Sequence, residues 1–311
     1  MFCIVAFIVL SILGIFSASN RALARDALDC VFHRITLRPC TTGFDVKMKS
    51  MILGRVISRS EGAAMFLNRN FEILAWVFFL LLAGSGFMGA RGIYLFYTTG
   101  SCNGMNSTGF CVFDPTGSNS QVSSGVGCSV KPKSEADLSL KGVDLTGLPV
   151  INAGSPDKIV MIGCYHCDYT RKAYPMIRDL ADRYHASFTF FNYPVKEEND
   201  YFTRLSYCAN KQDPVKYWKF NDLMFTGDKA QLDTDTYITS ILTEAGLDAN
   251  QVKYCTSDMQ TATVVQNQMT EMQKTRFYGT PTIFFDDKAL VGPKPYRVYA
   301  IQLKGLLYWL Y

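Results

Sequence analysis

Charge is scarce in this sequence, and the common nucleotide-binding signatures are missing. Asp, Glu, Lys and Arg make up only 19% of the 311 residues, and the net charge is +4. The basic residues are too few and too scattered to indicate nucleic acid binding. The chain also has no P-loop, no dinucleotide-binding glycine fingerprint and no internal repeat. These absences exclude P-loop and Rossmann-type nucleotide enzymes and repeat architectures.

Two stretches carry no charge at all. Residues 1–19 and residues 73–90 are apolar, and the second can extend to residue 97 with its aromatic residues in the interface. Between them, the basic loop (residues 20–70) carries nine Lys or Arg and four Asp or Glu. Such an excess of positive charge is typical of a cytoplasmic loop. The sequence therefore predicts a membrane anchor over residues 1–97, with spans at about 1–19 and 73–97 and both termini outside.

The first apolar stretch has an alternative interpretation as a cleaved signal peptide, with Ala22-Leu23-Ala24 as the cleavage site. The basic loop also has an alternative interpretation, as a zinc site. Cys30, His33 and Cys40 supply only three ligands, however, and their spacing matches no common zinc site. We therefore predict no metal.

Residues 98–145 are rich in Gly, Ser and Asn, and they predict an extracytoplasmic linker. Cys102 and Cys111 bracket a short loop and are candidates for a local disulfide, whereas Cys128 has no obvious partner. Asn106 begins an Asn-Ser-Thr glycosylation sequon. The disulfide and the sequon both require an exported segment.

The chemistry concentrates where a short apolar run, residues 159–162, is followed by Gly163 and Cys164-Tyr165-His166-Cys167. After Cys167, apolar residues recur at three- and four-residue steps, which predicts a helix. This order places Cys164 at a helix N-terminus, where the helix dipole favours a thiolate. We therefore expect Cys164 to have a lowered pKa and to attack disulfides.

This motif resembles the active site of the DsbA-like branch of the thioredoxin-fold thiol oxidoreductases. Residues 278–285, with Thr280 and Pro281, are similar to the family's cis-proline loop and the strand after it. Residues 197–274 correspond to its helical insertion. The resemblance covers residues 146–311 and implies an α/β thioredoxin fold with a helical insertion, here preceded by two transmembrane helices.

The resemblance also implies roles for the site residues. Cys164 is the exposed, attacking sulfur and Cys167 resolves the mixed disulfide, so the redox-active Cys164–Cys167 pair needs no other cofactor. The backbone beside Thr280 and Pro281 holds substrate. His166 stabilises the Cys164 thiolate, as in the strongest oxidants of the family, whereas Tyr165 replaces their usual proline.

Cys208 and Cys255 lie in two different helical segments of the insertion. We predict that they form a structural disulfide, and two buried thiols are the alternative.

The expected function is a two-pass, membrane-anchored thiol:disulfide oxidoreductase whose catalytic domain acts outside the cytoplasm on exported proteins. Oxidase is the leading direction, with reductase or isomerase as the alternative. A separate membrane redox partner is required, because no quinone-reactive unit is visible in the chain. Binding proteins form the rival class. One is a copper metallochaperone using Cys164 and Cys167, which needs a further ligand well beyond the motif, where His185 is the only histidine of this domain. The other is a substrate-binding protein or scaffold without turnover.

Overall fold

The computed structural model describes residues 2–36, 43–58, 60–125, 138–286 and 288–311. Cys40 of the basic loop and Cys128 of the predicted linker lie outside these residues. Asp287, in a hairpin that the sequence predicts between residues 283–285 and 289–291, also lies outside them. The chain divides into two compact units, Met1–Ala90 and Arg91–Tyr311, and each is described separately.

The first unit is helical throughout its described parts. Its elements are α1 (Phe2–Phe16), α2 (Ala18–Ile35), α3 (Phe44–Ile57), α4 (Glu61–Arg69) and the first two thirds of α5 (Phe71–Thr99). Helix α1 turns back into α2, and the Arg21 Nε donates a 2.6 Å hydrogen bond to the Gly14 carbonyl at this turn. A small buried cluster holds the unit together, formed by Ala6, Leu10, Ala27, Cys30 and Phe44.

One helix within the described ranges is long and apolar enough to cross a membrane, and it is α5, with 29 residues. The span predicted at residues 1–19 is not confirmed. Helix α1 has 15 residues, which corresponds to about 22 Å, whereas a bilayer core is about 30 Å thick. The structure therefore supports only the second helix of the predicted two-helix membrane anchor.

The second unit is built on a five-stranded sheet. Its strands are β1 (Val150–Ile151), β2 (Lys158–Gly163), β3 (Ser187–Asn192), β4 (Thr282–Phe285) and β5 (Lys288–Val291). Their order in the sheet is β1-β3-β2-β4-β5, with β2 and β3 parallel and the other neighbours antiparallel. The central strand β2 is buried from its second residue onward, as expected for an apolar run covered on both faces.

Helix α6 (Asp168–Arg183) connects β2 to β3, and Pro175 lies inside it. Five helices fill the insertion between β3 and β4: α7 (Tyr201–Gln212), α8 (Pro214–Thr226), α9 (Asp235–Glu244), α10 (Ala249–Ser257) and α11 (Met259–Lys274). The sequence predicts one helix over residues 251–274, but the structure has two. The carboxylate of Asp258 accepts a hydrogen bond from the Thr261 N–H and so starts a new helix.

The C-terminal helix α12 (Tyr296–Lys304) is shorter than the helix predicted over residues 296–311. It ends where Gly305 has a φ of 83°. Leu307 and Leu310 beyond it are 54% and 71% exposed, so they do not pack against the sheet as expected.

The segment predicted as a linker is packed into the second unit over its described parts, residues 98–125 and 138–145. Leu138 belongs to the hydrophobic cluster on one face of the sheet. Asn106 is only 4% exposed, and it bonds the edge strand β5 through the Ala289 carbonyl and the Val291 N–H. The glycosylation prediction is therefore wrong for this fold, because the Asn106 amide is buried and occupied.

Two disulfides occur among the described residues, and they are the two pairs considered from the sequence. Cys102 and Cys111 close a short loop after α5. Cys208 in α7 and Cys255 in α10 join two helices of the insertion across a sequence separation of 47.

Candidate active site

The turn between β2 and α6 brings the two motif cysteines together. Strand β2 ends at Gly163, where an added Cβ would lie 2.6 Å from Thr170 Cγ2 and 2.8 Å from the Phe190 ring, so only glycine fits. The Cys164 N–H donates to the Thr170 hydroxyl at 3.3 Å, and the Cys167 N–H donates to the Cys164 carbonyl at 3.1 Å. Both cysteines are free thiols, and Cys167 is the N-cap residue of α6.

Thr280 and Pro281 lie beside Cys167, and the peptide bond between them is cis. The Cys167 thiol is 3.4 Å from the Thr280 carbonyl and 3.2 Å from the Ser123 hydroxyl. Ser123 and Thr280 also exchange both backbone hydrogen bonds, at 2.7 and 3.0 Å. Ser123 was not predicted, because its segment has no periodicity or motif that would mark it.

The surroundings of Cys164 contradict two predictions. Cys164 is completely buried, whereas an exposed sulfur was expected. Burial, and then the nearby Glu197 carboxylate, raise the pKa of the Cys164 thiol to about 12 rather than lowering it. Backbone hydrogen bonds from Lys196 and His166 to the sulfur act in the opposite direction, but they do not outweigh these two causes.

Glu197 is the acidic residue of the site. The Cys164 thiol donates to its Oε1 at 3.7 Å, and the Asn192 amide donates to both carboxylate oxygens at 3.3 and 3.1 Å. Its side chain is only 2% exposed. Burial raises the pKa of Glu197, and its contacts with His166 partly oppose this rise.

His166 contacts carboxylates instead of stabilising the Cys164 thiolate from its ring. Its Nδ1 is 3.5 Å from Glu197 Oε1, and its Nε2 is 3.2 Å from Asp233 Oδ1. The ring also packs edge-on against Phe202, with 4.9 Å between the centroids. The effect of His166 on the pKa of Cys164 comes from its backbone hydrogen bond to the sulfur, which lowers that pKa.

Tyr165, the residue of the motif that replaces the family's usual proline, is completely buried. Its hydroxyl donates to Asn221 Oδ1 at 2.6 Å, and its N–H donates to Asn192 Oδ1 at 3.0 Å. Its ring packs against Phe225 of α8, with 5.0 Å between the centroids. These contacts fix the motif to the insertion, so Tyr165 has a positioning role and does not touch the reacting sulfurs.

A cavity of about 610 Å³ opens beside His166 and Glu197. Loop residues after β3 form one wall, and residues before and within α9 form another, including Asp233 and Asp235. In the part of the chain that the structure describes, no three His, Cys, Asp or Glu side chains are arranged to hold a metal. His185 follows the C-terminal end of α6, at the opposite end of that helix from the cysteines.

Comparison with known proteins gives one family and several structures. Residues 129–304, more than half of the chain, match the family model described as the DSBA-like thioredoxin domain. No curated protein sequence matches.

Three of the structures similar to this chain come from different bacteria. The catalytic domain of Proteus mirabilis ScsC is 20% identical, with 51% of this chain and 88% of that chain covered and a TM-score of 0.45. The thiol-disulfide exchange protein alpha-DsbA2 from Wolbachia pipientis is 19% identical, with 52% and 88% covered and a TM-score of 0.46. Oxidised BdbD from Bacillus subtilis is 21% identical, with 50% and 89% covered and a TM-score of 0.43.

The family match spans the motif, the cis-proline loop and the helical insertion described above. The chain therefore belongs to the DsbA-like thioredoxin domain family, and it is a thiol:disulfide oxidoreductase.

Proposed function

We propose that this chain exchanges disulfides with exported proteins, using Cys164 as the attacking sulfur and Cys167 as the resolving sulfur. The observation that carries this proposal is the position of the two thiols in the turn between β2 and α6, with Cys167 at the N-cap of α6 and against the cis Thr280–Pro281 peptide. The apolar helix α5 anchors this unit to the membrane, and the basic loop before it stays in the cytoplasm.

In the reducing direction, the Cys164 thiolate attacks a client disulfide, forms a mixed disulfide and releases one client thiolate. Cys167 then loses its proton and attacks Cys164 Sγ, which forms the Cys164–Cys167 disulfide and releases the second client thiolate. A separate membrane-associated dithiol restores the reduced pair. The same steps in reverse transfer a disulfide to a client.

The surroundings of Cys164 support reduction or isomerisation of client disulfides over oxidation. A strong oxidant stabilises its reduced form as a thiolate of low pKa. Here the pKa of Cys164 is raised to about 12 by burial and by Glu197, so the reduced form is a thiol. The His166 ring, on which the oxidase expectation depends, is paired with the Glu197 and Asp233 carboxylates.

Two measurements test the proposal. Cys167→Ser should trap mixed disulfides between Cys164 and client proteins, because attack occurs without resolution, whereas Cys164→Ser should trap none. A redox titration of the full chain against glutathione should place the Cys164–Cys167 potential below about −200 mV, in the range of reducing thioredoxin-type proteins. A potential near about −120 mV would instead support the oxidase role. An absence of Cys164 adducts in Cys167→Ser would refute the exchange function itself.

A further inference from the structure

A line of close contacts leads from the buried Cys164 sulfur to the protein surface. Cys164 Sγ is 3.7 Å from Glu197 Oε1, which is 3.5 Å from His166 Nδ1. His166 Nε2 is in turn 3.2 Å from Asp233 Oδ1, and the Asp233 side chain is 76% exposed. The asparagine amide of Asn192 donates to both Glu197 oxygens and so holds this carboxylate in place.

Disulfide exchange requires that the Cys164 thiol lose its proton, because the thiolate is the nucleophile. A thiol whose pKa is about 12 is ionised to a fraction of only about 10⁻⁵ at pH 7. Cys164 has no solvent-exposed surface, so bulk water does not reach its sulfur in this conformation. A base inside the protein must therefore accept the proton, and Glu197 is the carboxylate in contact with that sulfur.

We propose that Glu197 is a catalytic residue that takes the proton from Cys164 and returns it when Cys164 is released. In the forward step the S–H bond breaks, the carboxylate becomes a carboxylic acid, and the thiolate attacks the client disulfide. In the reverse step the released Cys164 thiolate takes the proton back from the Glu197 acid. This inference rests on the proposed exchange function and names the acid–base group of the same site.

Glu197 has two opposing effects on Cys164, and a neutral substitution separates them. Its negative charge raises the pKa of Cys164, so removing the charge should increase the thiolate fraction. Removing the carboxylate also removes the base, which should slow exchange at neutral pH. Other titratable groups face this site from the motif, the loop after β3, α7 and the segment before and within α9: His166, Cys167, Lys196, Glu198, Tyr201, Asp233 and Asp235.

The experiment uses the full chain with Cys167→Ser, so that the Cys164 adduct is not resolved. Oxidised glutathione is added, and glutathionylation of Cys164 is followed by site-resolved mass spectrometry from pH 5 to pH 11. Glu197→Gln should react about a hundredfold more slowly at pH 7, the low end of a general-base contribution. Its rate should exceed that of the parent only at the alkaline end of the range, because its thiol pKa is lower. The two pH profiles should therefore cross.

Two further variants make the test specific. Glu244→Gln removes an exposed carboxylate at the end of α9, which does not line the cavity, and should leave the profile unchanged. Glu197→Asp keeps a carboxylate and should react faster than Glu197→Gln at pH 7. A Glu197→Gln variant that reacts as fast as or faster than the parent at pH 7 overturns the inference while leaving the exchange function intact. A parent that forms no Cys164 adduct overturns both.

A second inference rests on a different contact. The covering segment (residues 121–125) lies across the cis-proline loop. Ser123 exchanges two backbone hydrogen bonds with Thr280, and its hydroxyl is 3.2 Å from Cys167 Sγ. The fit is close, because an added Cβ on Gly279 would lie 2.7 Å from Val122 Cγ2. An added Cβ on Gly125 would lie 2.5 Å from the Val195 carbonyl.

These contacts occupy the Thr280 backbone groups, which are expected to hold substrate because the loop resembles the cis-proline loop of the family. A client strand cannot pair with this edge of Thr280 while the Ser123 N–H donates to the Thr280 carbonyl and the Ser123 carbonyl accepts from the Thr280 N–H. Both motif cysteines are buried in this arrangement. We infer that the covering segment is an internal competitor of client peptides and that it leaves the Thr280 edge before exchange begins.

The test compares two proline variants of the reduced full chain. Ser123→Pro removes the N–H that donates to the Thr280 carbonyl. In the described ranges the Ser124 N–H makes no backbone bond of this kind, so Ser124→Pro is the matched control. Loss of one hydrogen bond should increase alkylation of Cys164 and Cys167 by about two- to tenfold, as read by site-resolved mass spectrometry.

A synthetic peptide of residues 119–125 provides a rescue. Added at millimolar concentration, it should protect the thiols of Ser123→Pro again, whereas the same peptide carrying Ser123→Pro should not. Equal alkylation rates in the two proline variants would overturn the inference. The inference would also be overturned if the peptide carrying Ser123→Pro protected the thiols as well as the unchanged peptide does.

Discussion

Removal of the Cys208–Cys255 disulfide should cost more stability than removal of Cys102–Cys111, because it closes the longer loop. In the chain-entropy model a disulfide stabilises the protein by restricting the unfolded chain, and its effect grows with the logarithm of loop length. The sequence separations are 47 and 9 residues. The model then gives about 4 kcal/mol for the first bond and about 2.6 kcal/mol for the second.

Urea unfolding of the full chain in detergent, followed by tryptophan fluorescence, measures both effects. Trp218 is buried in the insertion and reports its unfolding, whereas Trp76 and Trp309 are 47% and 55% exposed and contribute a background. With a slope of about 2–3 kcal/mol per molar urea, the midpoint should fall by about 1.3–2 M when the Cys208–Cys255 bond is lost.

Cys208→Ala, Cys255→Ala and the double variant separate the cross-link from side-chain packing. Each single variant already loses the bond, so the double variant should cost little more than either. If the losses of unfolding free energy in the two single variants add up in the double variant, packing around the buried Cys208 dominates the effect. A Cys102→Ala/Cys111→Ala variant that costs as much as the longer loop would refute the loop-entropy reasoning.

Three further predictions follow from other contacts. Asn106→Ala should destabilise the second unit by about 2–4 kcal/mol, because two buried backbone groups of β5 lose their hydrogen-bond partner. The urea experiment described above measures this change. Asn103→Ala is the control: it loses one exposed hydrogen bond and should cost less than about 1 kcal/mol. His166→Ala should shift the part of the Cys164 glutathionylation profile near neutral pH to higher pH. His166 lowers the pKa of Glu197, so its loss leaves less Glu197 carboxylate at a given pH. An unshifted profile would mean that His166 does not control the ionisation of Glu197. An impermeant thiol reagent applied to intact cells should label Val215→Cys, which replaces an 84% exposed side chain, but not Met65→Cys, which replaces a 71% exposed side chain in the basic loop. The reverse pattern would invert the proposed topology.

The fold could be predicted from the sequence wherever one short segment carries its own signal. The alternation within β3 places Phe188 and Phe190 on one face of the sheet and Phe191 on the other, as the two hydrophobic clusters show. The sequence of residues 251–274 predicts one helix, and the break at Asp258 could not be seen in it, because the capping role of Asp258 depends on a hydrogen bond rather than on periodicity. The position of Ser123 could not be predicted, because it depends on a contact with Thr280 much further along the chain.

The wrong prediction for the Cys164 pKa has a quantitative cause. A helix N-terminus stabilises a negative charge by about 0.3–1 kcal/mol, and by about 2 kcal/mol in favourable sites. A rise of the pKa from 9.0 to about 12 corresponds to about 4 kcal/mol against the thiolate. Burial and the Glu197 charge therefore outweigh the dipole, and neither burial nor that charge can be read from the motif alone.

Glu197 carries no signal in the sequence, because it lies far from the motif along the chain, and residues 159–163 of the strand before the motif contain no acid. The sheet register explains how Glu197 reaches the site. Strands β2 and β3 are parallel, with Gly163 opposite Asn192, so the chain leaves both strands at the same edge of the sheet. Residues shortly after Asn192 must therefore emerge beside Cys164, which directly follows Gly163. For a Cys-x-x-Cys motif after a central strand, the first turn after the neighbouring parallel strand is thus a second place to look for the acid that serves the attacking cysteine.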